Sequence, residues 1–110
     1  MAGTDPIDEL MCSYLDISGM LAAILVSNDG LVINCAMTQE TEIETISALV
    51  IDVVTSAQRF GVETSAGRLD TMTIEFEGLS LLLAPFEQDV MLALVAIPGT
   101  FALQGVMPGV

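Results

Sequence analysis

The chain has 110 residues, 53% of them hydrophobic and only 5% aromatic, with a mean hydropathy of +0.72; that suffices for one domain with a single aliphatic core and excludes a disordered segment. Fifteen Asp and Glu stand against two Arg, with no Lys and no His, for a net charge of −13, so phosphate backbones and anionic lipid surfaces are repelled and no nucleic-acid partner is expected. Residues 90–110 carry no charge, but Pro98, Gly99, Gly105, Pro108 and Gly109 interrupt them, which excludes insertion as a bilayer-crossing helix of about 20 residues.

The N-terminus, MAGTDPIDEL, is acidic where a signal peptide is positive, and a cytoplasmic protein is expected. Asp5-Pro6 opens a first helix as N-cap and first helical residue, with Asp8 and Glu9 at the positive end of its dipole. Ile7, Leu10, Met11, Tyr14 and Leu15 give it one apolar side, and Ser18-Gly19 ends it. Met20 to Ser27 then runs MLAAILVS without alternation, as a strand covered on both faces does. Asn28-Asp29-Gly30 supplies the positive φ values of a tight hairpin, and Leu31 to Met37 returns as its partner. Cys12 and Cys35 are read as two reduced thiols.

Thr41 to Phe60, TEIETISALVIDVVTSAQRF, is a second helix of about 19 residues, opened by a Thr41/Glu44 capping box and stopped at Gly61. On a helical wheel, Ile43, Ile46, Val53, Val54 and Ala57 fall within roughly 60° of Val50, and Leu49 and Ile51 lie about 100° out on opposite sides. The apolar arc of roughly 200° is twice what one packing surface demands. Opposite Val50 lie Thr41, Thr45, Ala48, Asp52, Thr55, Ser56 and Arg59, a face of mostly short side chains where Lys, Glu and Gln would serve solubility and helix propensity better. Such a face invites a partner.

Thr71 to Glu77 alternates, with Met72, Ile74 and Phe76 on one side and Thr73, Glu75 and Glu77 on the other. Gly78 turns the chain into Leu79 to Ala84; the loop PFEQD leads to a last apolar strand, VMLALVAI. The order αββαβββ predicts an α/β fold, a five-stranded antiparallel sheet with a helix on each face. The first and last strands belong in the middle, and the second and third are edges. No Lys or Pro blunts the edge at Leu69 to Glu77, so it can pair with a second copy of itself and bring two long helices side by side.

Catalytic signatures are missing: no His for acid–base work, no phosphate-binding glycine loop, no Lys for a Schiff base. The acids Glu40, Glu42 and Glu44 are accounted for by a helix N-terminus, and neither enzymatic activity nor a cofactor or metal is expected.

ISGMLAAILVSNDGLVINCA, a long helix, and then TMTIEFEGLSLLLAPFEQDVMLALVAI together resemble the Roadblock/dynein-light-chain family, including its bacterial MglB-type members. The resemblance spans residues 7–98 and is carried by Gly19 before the first strand, the Asp29-Gly30 hairpin and Ala84-Pro85. It implies a profilin-like fold within a single domain of core about 6–98, and homodimerisation through the long helix and third strand, at Leu49, Ile51, Val53, Val54, Met72, Thr73, Ile74 and Glu75. It further implies binding of a Ras-like small GTPase, with Thr45, Ala48, Asp52, Thr55 and Arg59 as the contact positions. Activation of GTP hydrolysis and passive tethering of a motor or signalling complex both remain open, as does a sensor of small molecules with Tyr14, Asn34 and the cysteines as its few polar candidates. Many relatives add a C-terminal helix, whereas residues 99–110 here form an apolar tail expected to return Phe101, Leu103, Val106 and Met107 to the first helix or a sheet edge, or to stay mobile.

Overall fold

Asp5 opens the fold as expected: its carboxylate accepts the Ile7 N–H at 2.9 Å, and Pro6 begins helix α1, Pro6–Tyr14. The computed structural model describes residues 5–38 and 40–101. Helix α1 stops at Tyr14, short of Ser18-Gly19. Beyond it the N–H groups of Leu15, Asp16 and Ile17 bond three residues back, to Cys12, Ser13 and Tyr14, which tightens the last turn and takes the chain off the helix axis. The sheet strands are β1 (Met20–Ser27), β2 (Val32–Met37), β3 (Met72–Glu75), β4 (Ser80–Glu87) and β5 (Val90–Ala96), and helix α2 spans Ile43–Glu63.

The strands lie in the order β2-β1-β5-β4-β3, antiparallel throughout. The two continuously apolar strands are interior and β2 and β3 are the edges, as their patterns require. Alternation in β1 and β5 divides the core in two. Ala22, Ile24, Val26, Met91, Ala93 and Val95 face α2 with Ile43, Val50 and Val54, while Ala23, Leu25, Leu92, Leu94 and Ala96 face α1 with Met11. Asn34, on β2, reaches α1 and donates to Asp8 at 2.7 Å.

Several boundaries differ from the sequence reading, each for a local reason. In the β1–β2 hairpin only Gly30 takes a positive φ, +84°; Ser27 and Leu31 close a three-residue loop, Ser27 N–H to Leu31 C=O at 2.9 Å, with Gly30 in its left-handed position. Strand β4 continues through Pro85 to Glu87, because an irregularity between Pro85 and Glu87 accommodates the proline's missing N–H. The turn therefore falls at Gln88-Asp89, where Asp89 has φ +63° and its carboxylate accepts from the Asn28 side chain at 2.9 Å. Strand β3 is shorter than its alternation suggests, since the Phe76 N–H already bonds the Leu79 carbonyl at 2.8 Å to close a two-residue turn.

The capping box does not form at α2. Glu42 is its N-cap, with no side-chain capping bond, and the Thr41 carbonyl takes the Ile43 N–H at 2.8 Å. Nor does Gly61 stop the helix, which runs 21 residues. Gly61 is a packing residue: it is buried, a β-carbon there would run into the Gly67 carbonyl oxygen, and its own carbonyl accepts the N–H groups of Ala66 and Gly67 at 2.8 and 3.2 Å. At the chain's end Phe101 packs against the α1-side core; Leu103, Val106 and Met107 lie outside the described residues.

Because the obstacle at Gly61 is backbone, Gly61→Ala is expected to cost about 1–3 kcal/mol in a denaturant titration. Gly78→Ala, at a turn position with open space around it, is expected to stay within about 0.5 kcal/mol.

Candidate functional site

Helix α2 uses three sides of itself. Its innermost stripe is Ile43, Ser47, Val50, Val54 and Gly61, spaced by three, four or seven residues as one helical face is. Ser47 fits there because its hydroxyl returns to the Ile43 carbonyl at 2.8 Å, leaving no buried polar atom unsatisfied.

This stripe seats α2 over β1 and β2, away from the β3 end of the sheet. An open groove of about 700 Å³ results. Ile46, Leu49 and Val53 form its helical wall, and Ile74, Phe76, Leu79 and Leu81 its wall on the sheet; Asp52 is the one ionisable side chain in the lining. Leu49 is 58% exposed and Phe76 54%. Phe60, 67% exposed, is eleven positions after Leu49 and so falls on the same flank of the helix.

The groove ends at a free sheet edge. Since the Phe76 N–H points to Leu79, the alternation of an antiparallel ladder turns Ile74 and Met72 to β4 as well and leaves the backbone groups of Thr73 and Glu75 facing outward. Among the described residues no strand lies beyond β3. The other edge is irregular: β2 shifts register between Leu25 and Val26 of its neighbour, opposite Asn34 and Val32, a bulge of the kind that discourages pairing.

On the outward side of α2, Thr45, Ala48, Asp52, Thr55 and Arg59 are all exposed and recur at intervals of three and four, so they form one ridge. Arg59 lies 3.8 Å from Glu63, both side chains mostly in water, and a pair so exposed holds the guanidinium only weakly. Asp52 is shared between ridge and groove, whereas Thr55 leans to the opposite side, toward Gln58 and Ile51.

The eight positions read from the sequence as a dimer surface do not form one patch. Leu49 and Val53 border the groove, and Ile74 and Met72 lie on the same side of the sheet. Val54 is 3% exposed and belongs to the core, so it is unavailable to a partner. Ile51 is on the far flank of α2, over the β4–β5 turn. Thr73 and Glu75 project from the other face of β3, and the Glu75 carboxylate is held by Ser80 and Gly99 of its own chain. Ile46, Phe76, Leu79 and Leu81 were missed as groove residues; the alternation that placed Phe76 beside Ile74 was the available signal. The cysteines, both free, lie on opposite faces of the sheet, Cys12 on α1 and Cys35 against the α2-side core. Among the described residues no group of His, Cys, Asp and Glu is placed to hold a metal, and no helix is long and apolar enough to cross a membrane.

The sequence that folds into these two helices and five strands matches a known family model, the Roadblock/LC7 domain, over residues 6–96. The chain belongs to the Roadblock/LC7 family. Similar solved structures include a Roadblock/LC7 domain from Streptomyces avermitilis, 21% identical over 82% of this chain and 77% of that one, with a TM-score of 0.75. Myxococcus xanthus MglB is 14% identical over 87% and 79%, with a TM-score of 0.77, and an MglB in a tetrameric arrangement is 19% identical over 86% and 76%, with a TM-score of 0.75. At these identities the likeness is one of fold. No curated protein sequence matches the chain.

The placement of Val54 and Leu49 in this Roadblock domain separates core from surface within one helix. Val54→Ala is expected to lower unfolding free energy by about 1–3 kcal/mol. Leu49→Ala, measured at the same low protein concentration, is expected to change it by less than about 0.5 kcal/mol.

Proposed function

We propose that this Roadblock domain is a homodimeric regulator or scaffold of a Ras-like small GTPase, acting through its surfaces and without chemistry of its own. One observation carries the reading: a single helix, α2, borders an open apolar groove on one flank and raises an exposed ridge of mostly short side chains on its outer side. The groove and the free β3 edge suit a second copy, since edge-to-edge pairing about a two-fold axis extends the sheet to ten strands and brings each α2 to the other's groove. The ridge then stays open for the GTPase, with Thr45, Ala48, Asp52, Thr55 and Arg59 as its contacts.

Family membership and the likeness to MglB structures support this reading. The dimer positions within it are Leu49, Val53, Met72 and Ile74, joined by Ile46 and Phe76, with the outward backbone of Thr73 and Glu75. With only two arginines in the chain, any stimulation of hydrolysis works mainly by arranging the GTPase's own groups; Arg59, on the ridge and loosely held, is the one arginine placed to take part. Tethering without an effect on turnover is the competing reading, and nucleotide turnover with and without this protein separates the two.

An arginine at the centre of the ridge tests the assignment. Ala48→Arg is expected to leave folding and self-association intact and to weaken binding of a Ras-like GTPase from the same genome by at least about 30-fold, the loss of a central contact. Unchanged binding, followed by titration calorimetry, would move the GTPase off this ridge.

A further inference from the structure

After β5 the chain reads Ile97-Pro98-Gly99-Thr100. Pro98 presets its own φ, Gly99 takes φ +87°, and the Thr100 N–H bonds the Ile97 carbonyl at 3.3 Å, the arrangement of a proline-glycine turn. The Gly99 N–H takes no part in that bond. It reaches instead to the Ser80 hydroxyl oxygen at 3.1 Å and to Glu75 Oε1 at 3.3 Å. Ser80, fully buried, donates its own proton to the same Glu75 oxygen. One carboxylate of the edge strand thus gathers a cross-strand hydroxyl and the outlying amide of the turn. From the other side the Ile97 N–H bonds the Gly19 carbonyl at 2.9 Å, and Thr100 fills the space where a β-carbon on Gly19 would go.

Two consequences follow for the edge. Charged side chains commonly guard an edge strand against pairing, yet the Glu75 carboxylate at the end of β3, though exposed, is tied to Ser80 and Gly99 of its own chain. The turn that leads the chain toward Phe101 and the α1-side core is hydrogen-bonded to a residue of that edge strand.

We propose that Glu75 is a positioning residue coupling the β3 edge to the turn after β5. Pairing of a second copy at β3 fixes the Glu75 backbone and through its carboxylate the Gly99 turn; by reciprocity an ordered turn favours pairing. The inference rests on the dimer reading above and deepens it, since the turn at Gly99 then responds to self-association.

The test is amide hydrogen exchange at Gly99 in the full chain, with oligomeric state followed by sedimentation in the same samples. In the unmodified protein, Gly99 exchange is expected to slow about tenfold from dilute to dimer-saturated solution. Glu75→Ala is expected to lose that concentration dependence and to dimerise about tenfold more weakly, while Glu75→Gln, which keeps an Oε1 acceptor, restores both. If the unmodified chain dimerises and its Gly99 exchange ignores concentration, or if Glu75→Ala behaves as wild type, the coupling is wrong and the dimer stands. If the unmodified chain never dimerises, both fall. Should Glu75→Ala fail to fold, the unmodified protein decides alone: Gly99 exchange that slows about tenfold on dimerisation supports the coupling, and exchange that ignores concentration overturns it.

Discussion

The seat of α2 on β1 and β2 is the constraint from which the rest follows. Ile43, Val50 and Val54 give the helix its grip, the small Ser47 and Gly61 complete the inner stripe, and together they set it to one side of a five-stranded sheet. An apolar helix centred on that sheet would have covered it. Placed off-centre, it leaves Leu49 and Phe76 in water across a groove lined by Ile74, Leu79 and Leu81. Full burial of each such side chain is worth about 1.5–3 kcal/mol. Against this stands the repulsion of two chains of charge −13, which physiological salt screens beyond about 8 Å. The short-range apolar term therefore decides whether copies associate.

That division of one helix into core, flank and ridge also underlies the proposed role, which rests on surfaces. In the proposed reading the stripe holds the fold, the flank and β3 edge serve self-association, and the ridge is presented rigidly because the other two sides are held. Glu75 extends the same logic past the helix. It belongs to the edge strand by its backbone and to the closing turn by its side chain, so the two ends of the molecule's second half are tied at one carboxylate.

Much of this was legible in the sequence. The unbroken apolar runs of β1 and β5 required two covered faces and hence the middle of the sheet, and the mixed β2 and alternating β3 had to be edges. The width of the apolar arc on α2 announced an uncovered flank, and the spacing of Thr45, Ala48, Asp52, Thr55 and Arg59 announced the ridge. The wheel did not say where the helix sits laterally, because that depends on which sheet residues Ile43, Val50 and Val54 meet, and those are distant in sequence. The dimer surface implied by the resemblance grouped Val54 and Ile51 with Leu49, although the wheel already set Val54 near the middle of the apolar arc and Ile51 on the opposite flank. Gly61 read as a stop because glycine ends helices more often than it lets a loop close over them, and Thr41/Glu44 read as a cap although the helix starts two residues past Thr41. The junction at Glu75 had no local signal, since Glu75, Ser80 and Gly99 meet only once the hairpin and the last strand are in place.

In the proposed assembly a second copy of the chain covers the groove between α2 and β3. Sedimentation velocity of the unmodified protein across micromolar concentrations tests it most directly. The expected result is a species of twice the 11.6 kDa chain mass that Leu49→Asp converts to a folded monomer; a stable monomer of 11.6 kDa at every concentration, with Leu49 and Phe76 left in water, would overturn that assembly.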